Sequence, residues 1–203
     1  MNRQTWEVEQ KYVVDDPDVL IERVEHWEFQ PAGETVQVDC YLRHPCRDFQ
    51  TSGEAFRLRQ DGSRQHVTYK GPRTEAEVKS RPEIELEIGG DFNQWRQLME
   101  LLGFQPLPAV RKRRQLFLAP ESIARWKGVR VMVDHVERLG VFAEIEVVVN
   151  DQRALPLAQQ TVQDVAMALQ LDTIETRSYL TMVLETVATD GPQGSEKTAY
   201  PAT

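Results

Sequence analysis

Cysteine is scarce in this 203-residue chain: only Cys40 and Cys46 occur, and no apolar N-terminal segment reads as an export signal. A disulfide framework is therefore not expected, and the cytoplasm is the default compartment. Nor does any apolar run approach the roughly 20 residues of a membrane-spanning helix. Positive charge is in deficit as well, with 24 Lys and Arg against 32 Asp and Glu, a net charge of −8. That balance argues against general affinity for nucleic acid or anionic membranes, so an anionic ligand has to be held locally. The four histidines, His26, His44, His66 and His135, are scattered and form no nucleophile or relay pattern. Cys40, His44 and Cys46 do not match a familiar zinc spacing and lack a fourth ligand. No internal repeat is found. What remains is an ordinary globular composition, 40% hydrophobic and 28% charged, at a length that suits one domain.

The charges that are present are sorted. In Glu7-Val8-Glu9-Gln10-Lys11 the odd positions are acid, acid, base, and at the two-residue period of a strand they share one face. The pattern returns in Arg57-Leu58-Arg59, Glu83-Ile84-Glu85-Leu86-Glu87 and Glu144-Ile145-Glu146-Val147. A solvated face would mix signs, because like charges side by side repel. Acid-rich and base-rich strands suggest instead a site for metal ions and polyphosphate.

Taken in order, the chain predicts a strand at the N-terminus and then a helix opened by Asp15-Asp16-Pro17-Asp18, with Leu20, Val24 and Trp27 at helical spacing. Pro31-Ala32-Gly33 is expected to end it. Glu34 to Leu42 reads as a strand that carries Asp39, either support for the site or a surface acid, and His44 to Gly53 as a polar loop. Two strands meet across Asp61-Gly62. Residues 71 to 82 read as a charged loop, with Lys79 and Arg81 in a lid or a plain connection. Glu83 to Ile88 is a strand, Asp91 caps a helix whose stripe is Phe92, Trp95, Met99 and Leu102, and Gly103 stops it. Arg111-Lys112-Arg113-Arg114 opens a long strand, and Val129 to Val136 pairs with Val141 to Val149. Helices are expected near Thr161 to Leu171 and Thr173 to Val187. About eight strands can close into a barrel, with Val8, Leu58, Ile84, Leu86, Ile145 and Val147 outside under helices. The expected domain is 1–187, followed by a disordered, dispensable tail at 188–203.

Glu7-Val8-Glu9-Gln10-Lys11 resembles the ExExK signature of the CYTH family, the triphosphate tunnel enzymes. Asp39-Cys40-Tyr41, Glu54-Ala55-Phe56-Arg57-Leu58-Arg59, Thr68-Tyr69-Lys70-Gly71-Pro72, Arg81-Pro82-Glu83-Ile84-Glu85, Lys112-Arg113-Arg114, Val133-Asp134-His135-Val136, Leu139 to Glu146 and Arg177-Ser178-Tyr179 extend the resemblance over roughly residues 3 to 185. The Lys-Gly-Pro and Asp-His-Val segments are closest to the class IV adenylyl cyclases. The resemblance implies an α+β fold, a closed eight-stranded antiparallel barrel with helices on its outside. It implies a metal-dependent enzyme that converts ATP to cyclic AMP and pyrophosphate, with a triphosphatase acting on inorganic, thiamine or nucleoside triphosphate as the alternative and a non-catalytic polyphosphate-binding module behind both. The metal, Mg2+ or Mn2+, would be held by Glu7, Glu9 and Glu144, with Glu85, Asp134 and Glu146 as further ligands. Arg57, Arg59, Lys70, Lys112 and Arg114 would clamp phosphate, backed by Lys11, Arg81 and Arg130; Lys11, Arg59, Lys70 and Arg114 would serve the reaction itself. The expected partner is a small-molecule triphosphate, without nucleic acid or membrane, and apolar helix faces allow a homodimer.

Overall fold

The structure, a computed structural model, describes residues 5–72 and 79–189. Its strands are β1 (Thr5–Val13), β2 (Gln30–Arg43), β3 (Ala55–Asp61), β4 (Arg64–Lys70), β5 (Lys79–Glu87), β6 (Gln105–Pro106), β7 (Val110–Leu118), β8 (Arg130–Val136) and β9 (Gly140–Val149). The helices are α1 (Pro17–His26), the single-turn α2 (Phe49–Ser52), α3 (Phe92–Leu101), α4 (Leu155–Ala168) and α5 (Tyr179–Thr189). The order β3-β4-β5-β1-β9-β8-β7-β2 returns to β3 through the β2–β3 pairing, so eight antiparallel strands close on themselves. Closure removes the unpaired edges that an open sheet exposes. The two-residue β6 hangs on β2 outside the ring.

Alternation within each strand divides the molecule. The outward residues Val8, Phe117, Val131, Val133, Ala143, Ile145 and Val147 are buried against α1 and α4, which contribute Leu20, Val24, Ala158, Val162 and Val165. Each such Val, Leu, Ile or Phe side chain stabilises the fold by about 1.5–3 kcal/mol when fully buried. Asp16 caps α1 by accepting from the Asp18 and Val19 amides, and Pro17 fits the first turn. A smaller core joins α3, through Phe92, to Cys40, Leu42 and Leu58 of β2 and β3. Asp91 caps α3, as its sequence predicts.

Five local expectations are corrected. Pro31, Ala32 and Gly33 lie within β2, where a register shift between Pro31 and Gly33 absorbs them as an irregularity instead of a loop. The 44–53 stretch contains α2, capped by Asp48. β5 begins at Lys79, so Arg81 belongs to the barrel wall; the rest of the lid expectation falls on 73–78, outside the described residues. Ile84 and Leu86 face outward without cover, at 53% and 57% exposure, because α3 covers β2 and β3. Residues 173–175 are not helical. Thr173 O accepts from Val13 N (2.8 Å) and Glu175 N donates to Lys11 O (2.8 Å), and this main-chain pairing with the end of β1 delays α5 to Tyr179. The expected tail falls largely on 190–203, outside the described residues.

Those same bonds seat α5 against one end of the barrel. Val110, Val136 and Phe142 share the inward parity of Lys112, Asp134 and Glu144, and they pack with Tyr179 and Met182 of α5. That end is therefore apolar and plugged. No described helix is long and apolar enough to cross a membrane.

Candidate functional site

The barrel encloses a cavity of about 480 Å³ lined on every wall by inward side chains of β1–β5 and β7–β9. Thirteen of the fourteen residues expected at the site line it: Glu7, Glu9 and Lys11 from β1; Arg57 and Arg59 from β3; Lys70 from β4; Arg81 and Glu85 from β5; Lys112 and Arg114 from β7; Arg130 from β8; Glu144 and Glu146 from β9. Asp134 stands behind them, fully buried.

Two buried aspartates organise the bases. Asp39 of β2 accepts from Arg59 Nε (2.6 Å) and Nη2 (2.7 Å), and from Arg57 Nη1 at 3.3 Å. Asp134 of β8 accepts from Lys112 Nζ (2.9 Å), Arg114 Nε (2.7 Å) and Nη2 (2.6 Å), and the Tyr179 hydroxyl (2.9 Å). Burial alone would push the Asp39 carboxyl up; Arg57 and Arg59 more than offset it and hold it far below the usual range. The same opposition, with Arg114 and Lys112 prevailing, lowers Asp134.

On the other wall, Lys70 Nζ donates to Glu7 at 2.6 Å and lies 3.3 Å from Glu83, while Arg81 stands 3.8 Å from both Glu7 and Glu9. Gly71 makes this junction: its amide donates to Pro82 O (2.9 Å), and an added Cβ would meet Pro82 Cγ at 2.9 Å. Arg114 bonds Glu144, and Arg130 bonds Glu146. Lys11 Nζ sits 4.0 Å from the centroid of the Tyr179 ring, a cation–π contact.

Two observations bear on what this network can bind. Among the described residues, Arg57 Nε and Arg81 Nε are buried donors without a hydrogen-bond partner, and Gln37 Oε1 is an acceptor without one. Such groups are costly to bury unless a ligand or water satisfies them. Glu146 is also raised to about 7, first by burial and then by the Glu7 carboxylate beside it, so added positive charge is favoured there. Burial, then Arg114, lowers Lys112 to about 8. No three carboxylate, His or Cys groups among the described residues already converge on one point; a cation would draw its ligands away from Lys and Arg partners. Cys40 is buried and Cys46 exposed, which separates the thiols of the 40–46 segment.

Sequence reasoning weighed Asp39 only as a support or surface acid, and it did not place Gln37, Glu83 or Tyr179 in the site. Gln37 and Glu83 were legible from parity: Gln37 shares a face with Asp39, and Glu83 with Glu85. Tyr179 had no such signal, since its position depends on how α5 docks. A second hollow, lined among others by Glu25, Glu28 and Glu121, offers no Lys or Arg to an anion.

Comparison with known proteins agrees with this architecture. The chain is 32% identical over 176 residues to the Methanocaldococcus jannaschii protein named "Putative adenylate cyclase MJ0240", covering 86% of this chain and 96% of the relative. It is 34% identical over 95 residues to "Adenylate cyclase CyaB" of Aeromonas hydrophila, a match spanning 45% of this chain and 46% of that protein. Among solved structures, the PH1819 protein of Pyrococcus horikoshii superposes with a TM-score of 0.79 at 34% identity, covering 89% of this chain and 99% of that one. The CYTH domain model matches residues 6–179, and the chain belongs to the CYTH family.

Proposed function

We propose that the protein is a metal-dependent enzyme acting on a triphosphate, most like the class IV adenylyl cyclases. The observation that carries this reading is the pair of buried, unpartnered guanidinium donors of Arg57 and Arg81 in a cavity lined by both signs of charge. Phosphate oxygens would satisfy such donors, and guanidinium groups suit them by geometry. In the reaction, the ribose 3′-oxygen forms a bond to the α-phosphorus, the bond to the bridging oxygen breaks, and pyrophosphate leaves with the electron pair. The hydroxyl proton passes to solvent. Arg57, Arg59, Lys70, Lys112 and Arg114 hold the non-bridging oxygens and stabilise the charge that accumulates on the leaving group. Lys11 and Arg81 extend this clamp. Asp39 and Asp134 keep the basic pairs aimed before substrate arrives.

The donor set fits a hard divalent cation such as Mg2+ or Mn2+: carboxylate oxygens of Glu7, Glu9, Glu144 and Glu146, with Glu85 nearer the rim. Bound there, the ion would neutralise phosphate charge and orient the triphosphate. The raised Glu146 supports that placement. Two cysteines outside any disulfide, Cys40 and Cys46, support a cytoplasmic location.

Incubating the protein with ATP, thiamine triphosphate or inorganic triphosphate, each with Mg2+ or Mn2+, tests the reading. Cyclic AMP and pyrophosphate are the expected products. Orthophosphate release would assign a triphosphatase, since the same clamp can present the γ-phosphate to water. Tight binding without any product would leave a polyphosphate-binding module.

A further inference from the structure

The tunnel is not charged throughout. Among the described residues that line it, the aliphatic side chains are Leu116, Met132 and Val148, on the consecutive strands β7, β8 and β9. Leu116 is the register partner of Met132. Val148 follows Glu146 on the inward face of β9, and Glu146 is the register partner of Arg130. Exposure grades from 2% at Met132 to 43% at Val148, so the wall runs from the charged interior out to the open end, opposite the end plugged by α5. The Arg130 side chain lies within the same three-strand wall, bonded to Glu146 and 42% exposed.

Inorganic triphosphate is polar oxygen on every side and gains nothing from an aliphatic wall. A phosphate chain held deep in the cage and continuing into a flat, partly apolar group does gain, because that group leaves water on the wall and offers a ring face to a guanidinium. The cavity volume, within the range of small-molecule sites, admits such a group beside the phosphates. We infer that Leu116, Met132, Val148 and Arg130 form a specificity wall for the organic group of an aromatic organic triphosphate, a nucleoside triphosphate being the matching class. This inference rests on the triphosphate reading above and adds to it the side of the tunnel on which the organic group lies.

Calorimetry on the full chain in the presence of Mn2+ tests it, with ATP, methyl triphosphate and inorganic triphosphate as probes. ATP and methyl triphosphate carry the same triphosphate ester and differ only in the organic group. The expected result is ATP binding about tenfold or more tighter than methyl triphosphate. Val148→Ser and Leu116→Ser should each weaken ATP by about threefold to tenfold and leave methyl triphosphate within about twofold. Val148 lies at the exposed rim, so its variant keeps the fold, and a melting curve checks the Leu116 variant. Equal affinity for ATP and methyl triphosphate, or variants that weaken both alike, would overturn the wall assignment and leave the triphosphate reading standing. Absence of binding by all three probes would overturn the triphosphate reading itself, and the wall with it.

Discussion

Asp39 and Asp134 solve one problem on two walls of the barrel. Each is buried on one strand and faces two bases spaced two residues apart on its neighbour, Arg57 and Arg59 on β3 or Lys112 and Arg114 on β7. On the Asp39 wall both bases are arginines, which stay charged at any ordinary pH. On the Asp134 wall one base is a lysine whose burial lowers it to about 8, and a fourth group, the Tyr179 hydroxyl, arrives from α5. The first wall is a fixed positive surface. The second can lose a charge within an accessible pH range and is tied to the plug.

The largest expected effects come from removing either anchor. Asp39→Asn or Asp134→Asn should cost about 3–5 kcal/mol at pH 7, because each leaves buried cations unpaired; chemical denaturation measures this. The sign follows from the depressed folded-state pKa of each acid: its contribution is present above the unfolded value near 4 and is lost as pH falls further. The gap between wild type and Asp39→Asn should therefore narrow at pH 3. A gap that is the same at pH 3 and pH 7 would contradict the ion-pair account.

Next in size is the separation of phosphate clamp from metal ligands. Arg59→Ala or Lys112→Ala should weaken metal-free triphosphate binding and lower turnover by about 2–4 kcal/mol. Glu9→Gln or Glu144→Gln should spare metal-free binding and abolish metal-dependent turnover. Titrations with and without Mn2+ distinguish the two; unchanged turnover in both Glu→Gln variants would remove the metal assignment.

A smaller effect sharpens the contrast between the walls. Lys112 has a lowered folded pKa, so its ammonium is present below pH 8 and is lost above it. Triphosphate affinity of the wild type should fall by up to about tenfold per unit above that point, whereas Lys112→Arg should stay flatter to pH 9.5. Parallel profiles would show that Lys112 does not contact phosphate. Tyr179→Phe removes one bond to a charged acceptor and should cost about 1–3 kcal/mol of stability, visible as a lower melting temperature. Truncation of 190–203 should have the smallest effect, with melting temperature and triphosphate affinity unchanged, since that stretch has no apolar periodicity with which to dock.

The order of residues alone was enough for the inward charges, the eight strands and the family. Period-2 alternation and sign are local properties, so Glu7, Arg57, Lys112 and Glu144 announce their shared face without any knowledge of neighbours. Pairing across the barrel is not local. Lys70 meets Glu7 across 63 positions and Tyr179 meets Asp134 across 45, and both depend on strand register and helix docking. Tertiary structure alone decided that Asp39 is buried between two arginines, that residues 173–175 pair with β1 instead of coiling, and that Ile84 and Leu86 stay bare. It also decided which end of the tunnel α5 seals. The physical reason is the same in each case: alternation sets the face a side chain occupies, but only closure of the barrel sets what stands opposite it.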